Sequence, residues 1–126
     1  MKTYSLEVLP GGFAICRLEA SSEVPEWAAG GPFASVTRTA DELSIVCEEG
    51  GVPPDVKHDG GWRCLRLVGP FDLNLTGVLA SLLQPLAEAG VSIFAVSTFD
   101  TDYVLVRGSQ LETAIAALRQ AGHHVE

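Results

Sequence analysis

Apolar and polar residues alternate over residues 4–8. The break at Pro10, Gly11 and Gly12 separates them from an apolar run at 13–18, so the pattern predicts a strand, a turn and a second strand. Residues 21–32 hold Pro25, Gly30, Gly31 and Pro32, which keeps any helix around Trp27 short. Residues 33–37 and 43–47 read as two more strands joined by a polar turn. The stretch 48–61, with Gly50, Gly51, Pro53, Pro54, Gly60 and Gly61, has no apolar periodicity. It marks the expected boundary between a first half at 1–61 and a second at 62–126.

Beyond that boundary the pattern sharpens. Residues 62–68 read as a strand, and Leu75, Val78, Leu79, Leu82, Leu83 and Leu86 fall on one face at helical spacing. Asn74 or Thr76 is placed to cap this helix and Gly90 to end it in a left-handed residue, while Pro85 should loosen its last turn. Residues 91–98 and 103–107 are rich in Val, Ile, Leu and aromatics and predict a hairpin. Ser109 and Glu112 have capping-box spacing ahead of a second helix through Leu111, Ala114, Ile115 and Leu118, which Gly122 closes; residues 123–126 leave room for a short strand. The order β-α-β-β-α-β is ferredoxin-like. It predicts an α+β fold with both helices on one face of an antiparallel sheet.

The first half reads as an abbreviated copy of the second. Phe33, Ala34, Thr37 and Asp41 align with Phe94, Ala95, Thr98 and Asp102 at a constant offset, and Arg17-Leu18 with Arg66-Leu67 at a shorter one. The shortfall is about the length of a missing first helix of roughly three turns.

Composition narrows the function. Apolar residues make up 47% and charged residues 19%, enough to bury an interior. A net charge of −8 with only eight Lys and Arg argues against nucleic acid and anionic membrane surfaces as partners. There is no basic n-region leading into an apolar segment and no apolar run near the ~18 residues of a spanning helix, so a soluble cytoplasmic protein is expected. Cys16, Cys47 and Cys64 lie in apolar runs without a CxxC and are expected as buried thiols. His58, His123 and His124 are expected at the surface; neither a metal site nor a cofactor is indicated. Ser97 and Thr98 have no His or Lys nearby in sequence to activate them, and no catalytic residue is assigned.

Three stretches carry a resemblance. They are Gly69-Pro70-Phe71-Asp72-Leu73-Asn74-Leu75-Thr76-Gly77, Leu86-Ala87-Glu88-Ala89-Gly90-Val91-Ser92-Ile93-Phe94, and Ser97-Thr98-Phe99-Asp100-Thr101-Asp102-Tyr103-Val104-Leu105-Val106. Together they resemble the ACT domain, in particular the branch of small bacterial tandem-ACT proteins and the CASTOR arginine sensors; ACT domains also occur in aspartate kinases. The resemblance implies tandem ferredoxin-like (βαββαβ) units, the first abbreviated. It implies a non-catalytic sensor or allosteric regulator that binds a free amino acid where the first strand meets the first helix, a homodimer, and a regulated enzyme as partner.

Elementary electrostatics points to the same place. A helix opening at Leu75, Thr76, Gly77 and Val78 would offer unpaired N–H groups and partial positive charge to a carboxylate. Asp72, Asp100 and Asp102 would receive the ligand's amino group. The candidate ligand-binding residues are therefore Asp72, Asn74, Leu75, Thr76, Gly77, Val78, Ser97, Thr98, Asp100 and Asp102. The plainer reading makes these acids turn formers and caps, and leaves an interaction or homodimerisation scaffold without a ligand.

Overall fold

The computed structural model describes residues 2–126 and is an α+β fold. In chain order its elements are β1 (Ser5–Val8), β2 (Phe13–Leu18), β3 (Ser35–Arg38), β4 (Leu43–Glu48), β5 (Lys57–Leu67), α1 (Val78–Glu88), β6 (Ile93–Ser97), β7 (Asp102–Arg107), α2 (Leu111–Gln120) and β8 (His124–Val125). The chain divides into two compact units, Pro10–Trp62 and a larger one that combines residues 2–9 with Arg63–Glu126.

In the smaller unit β2 lies between β4 and the opening of β5, and β3 pairs with β4, all antiparallel. Alternation puts Ala14 and Cys16 of β2 and Leu43, Ile45 and Cys47 of β4 on one buried face, against Ala28 of the 3-10 turn Glu26–Ala28. The strand expected at 62–68 begins five residues earlier, at Lys57. Residues 57–61 are polar or glycine and give no hydrophobic signal, yet Lys57 and His58 pair with Arg17 and Cys16 through the backbone. Gly61, at φ +79°, occupies the irregularity between this pairing and that of Phe13 with Trp62.

In the larger unit the neighbours run β8-β1-β5-β7-β6. Removing β1 leaves the ferredoxin-like β-α-β-β-α-β order of the sequence. The addition is β1, antiparallel to β5 (Leu6 opposite Leu67) and parallel to β8 (Leu6 opposite Val125). Residues assigned to the first half by sequence thus belong to the sheet of the second. Glu7 and Arg66, directly opposite on β1 and β5, form an ion pair at 2.6 Å, and this hydrogen bond raises the Arg66 pKa above its ordinary value. Leu6, Leu65, Leu67, Val104 and Val106 meet Val78, Leu82 and Leu86 of α1 and Ala114 and Leu118 of α2 in one core.

All three cysteines are buried and free. Burial pushes Cys64 up to about 12, and burial together with the neighbouring Cys47 does the same to Cys16; burial also raises Cys47.

Three local expectations are corrected. α1 begins at Val78 with Gly77 as its N-cap at φ +79°, and neither Asn74 nor Thr76 caps it. α2 follows a 3-10 turn at Gly108–Gln110 and has no capping box; Gln110 instead accepts from Ser92 N and donates to Gly90 O, tying the helix start to the loop after α1. His123, expected at the surface, is 5% exposed. Its Nδ1 accepts from Tyr4 N at 3.1 Å and its Nε2 lies 3.2 Å from Ser81 O, so a ring flanked by polar sequence is stitched into the interior.

Candidate functional site

The segment between β5 and α1 and the turn between β6 and β7 face each other in the larger unit. Two hydrogen bonds and one close approach hold them together. Phe71 N donates to Asp100 O at 2.8 Å, Thr101 Oγ1 donates to Leu67 O at 2.6 Å, and Gly69 lies so close that a Cβ there would stand 3.1 Å from Asp100 O. The turn itself is closed by Thr98 N donating to Thr101 O at 2.8 Å and by Thr101 N donating to Thr98 Oγ1. Thr101 is buried, which is why its hydroxyl requires that partner.

Between these segments and the first turn of α1 is a cleft of about 300 Å³. That is at the lower end of the ~300–1,000 Å³ typical of small-ligand sites. The structure brings Asp72, Leu75, Gly77, Val78, Ser97, Thr98, Asp100 and Asp102 to its lining; Asn74 and Thr76 do not line it. The cause is the late helix start. Asp72 Oδ1 accepts from Asn74 N at 2.8 Å and Asp72 O from Leu75 N at 3.0 Å, so residues 72–75 form a turn that spends the Leu75 amide expected for a ligand. The amides with no carbonyl one turn back are instead those of Val78, Leu79 and Ala80, and no side chain caps them. Asp102 Oδ1 accepts from Ser97 Oγ.

The cleft also contains residues the sequence reading did not single out: Phe71, Leu73, Leu79, Ala80, Phe99 and Thr101. Phe71 and Leu73 stand inside the quoted glycine-bounded stretch, but apolar residues there read as packing. Leu73 is 66% and Phe99 78% exposed, so the rim is apolar and open, with carboxylates between. Among the described residues no group of His, Cys, Asp or Glu is arranged to hold a metal ion, and no helix is long and apolar enough to cross a membrane.

The profile of the ACT domain matches residues 57–120, which carry both walls of this cleft. The chain belongs to the ACT domain family. A second profile, described as an N-terminal domain, matches residues 11–55. A solved structure of an Agobacterium tumefaciens protein is 46% identical, with a TM-score of 0.94 over 100% of this chain and 94% of that one. The cytosolic arginine sensor for mTORC1 subunit 1 of Bos taurus is 30% identical over 68% of this ACT protein and 30% of its own length. The chain thus spans about half or less of the curated relatives it matches. The regulatory subunit of aspartate kinase from Thermus flavus, 13% identical with a TM-score of 0.59 over 90% of this chain and 98% of that one, shares the fold.

Proposed function

We propose that this ACT protein binds a free amino acid in the cleft between the start of α1 and the β6–β7 turn, and acts as a sensor or allosteric regulator with no catalytic step of its own. One observation carries the reading: three uncapped helix amides and three carboxylates line a single cleft. A ligand carboxylate seats against Val78, Leu79 and Ala80, where the helix dipole favours negative charge. Its ammonium faces Asp72, Asp100 and Asp102. Leu75, Gly77, Ser97 and Thr98 complete the contact surface.

The lining holds three carboxylates and no Lys or Arg. A single ammonium leaves part of that charge unanswered, so the ligand carries a cationic side chain, in keeping with the cytosolic arginine sensor among the relatives. We read the smaller unit as the abbreviated ACT copy, the working assembly as a cytoplasmic homodimer, and the output as control of a partner enzyme. Calorimetry on the full chain against the twenty amino acids tests the reading. Arginine or lysine is expected to bind, and Asp102→Ala to weaken that binding about ten- to a hundredfold through loss of a charged hydrogen bond. No heat with any of the twenty at millimolar concentration would end it.

The open apolar rim of Leu73 and Phe99 supports a second reading, a scaffold whose cleft mouth is covered by another protein surface with no ligand. In that case solution mass and melting temperature are indifferent to every amino acid.

A further inference from the structure

Outside the cleft a small group of residues reaches both of its walls. The Tyr4 ring meets the Phe71 ring edge to face, with centroids 5.6 Å apart, and lies along the His123 ring at 5.9 Å and 16°. Phe71 is one wall. The backbone of Tyr4 is itself fixed, because its N–H donates to His123 Nδ1 and its carbonyl accepts from His124 N at 2.9 Å.

An Nδ1 that accepts from an amide carries no hydrogen of its own, so the ring is the Nε2–H tautomer and donates to Ser81 O. Ser81 follows Ala80 in the first turn of α1, which is the opposite wall. Its carbonyl is open to a donor for a covalent reason. The residue four places on is Pro85, which has no N–H to return. The proline in α1 thus leaves an acceptor that the buried histidine fills.

We infer that Tyr4 and His123 are positioning residues for the cleft: they set the separation of the Phe71 wall from the first turn of α1 without touching the ligand. The inference rests on the amino-acid-binding reading for its functional consequence, and on geometry alone for the placement of the walls. A bound amino acid needs the uncapped amides of α1 and the acceptors beside Phe71 at one fixed distance. A wall free to move weakens it even though every contacting side chain is present.

Amide hydrogen exchange on the full chain, followed by ligand titration, tests this. Tyr4→Leu and His123→Leu are expected to speed exchange at Phe71 N, which bonds Asp100 O, and at Ser81 N, which bonds Gly77 O, by about tenfold, while Leu105 in the centre of β7 is unchanged. Affinity for the amino acid that binds the unaltered chain is expected to fall roughly five- to tenfold. Tyr4→Phe keeps the ring and should restore both readouts. Pro85→Ala, which disturbs little else, supplies an N–H that competes for Ser81 O and should quicken exchange of the His123 Nε2 proton. Folded variants with unchanged exchange at Phe71 and Ser81, or Pro85→Ala without effect on that proton, overturn the inference. If no amino acid binds the unaltered chain, the sensing reading fails, and the exchange data still decide whether these residues hold the walls.

Discussion

A thiol inside an apolar core answers to alkali in a predictable direction. Cys64 is fully buried, and burial alone lifts it from 9.0 to about 12. The folded state therefore favours the protonated form. Below pH 9 neither state ionises and stability is complete; between pH 9 and about 12 only the unfolded chain loses its proton, and stability falls by about 1.4 kcal/mol per pH unit. Cys16 and Cys47, also raised, add losses of the same sign, so thermal melts from pH 8 to 11 should show at least this slope, and Cys64→Ala should reduce it by about the share of one thiol. An unchanged slope in that variant would assign the alkaline loss to other groups. The buried thiols were legible in sequence, because each sits among strand-forming apolar residues. His123 was not. Its burial depends on an amide donated by Tyr4 from the other end of the chain and on a carbonyl released by Pro85, and neither leaves a mark beside His123 itself. The acids at 72, 100 and 102 were legible as a set, but not their present bonds: Asp72 spends one oxygen on Asn74 N, and Asp102 one on Ser97.

Periodicity located α1, β6, β7 and α2 because each must bury one side against a shared core. Their ends were less legible, since ends are set by local hydrogen bonding. Leu75 has the spacing of a helix residue, yet the Asp72 turn claims its amide and Gly77 takes the left-handed conformation from which the helix starts. The uncapped amides beside the cleft are consequently those of its lining residues 78–80, three places later than expected for the first member. The bond from Thr101 to Leu67 O joins the β6–β7 turn to the end of β5. Thr101→Val keeps the shape and removes the hydroxyl, leaving a strand-end carbonyl unsatisfied. A loss of about 1–2 kcal/mol in denaturant unfolding is expected, together with weaker amino-acid binding, because the turn carries Asp100 and Asp102. A Val variant as stable as the parent would show that solvent replaces the bond without cost.

The family match at residues 57–120 does not contain β1, and the larger unit needs it. Without β1 the bonds from Val68 N to Ser5 O and from Glu126 N to Leu6 O disappear, and β5 and β8 each lose a neighbour. A chain lacking residues 1–9 should lose its cooperative melt or associate through the bared strands, and a synthetic peptide of those residues should restore it in trans. A shortened chain that melts like the parent would show β1 to be dispensable. The same placement governs how the protein is made. β1 slots between Leu67 of β5 and Val125 of β8, both translated after it, so its seat does not exist until both of those strands have been made. Until then Leu6 and Val8 travel uncovered, and the nascent chain offers them to whatever chaperone or sister polypeptide is at hand.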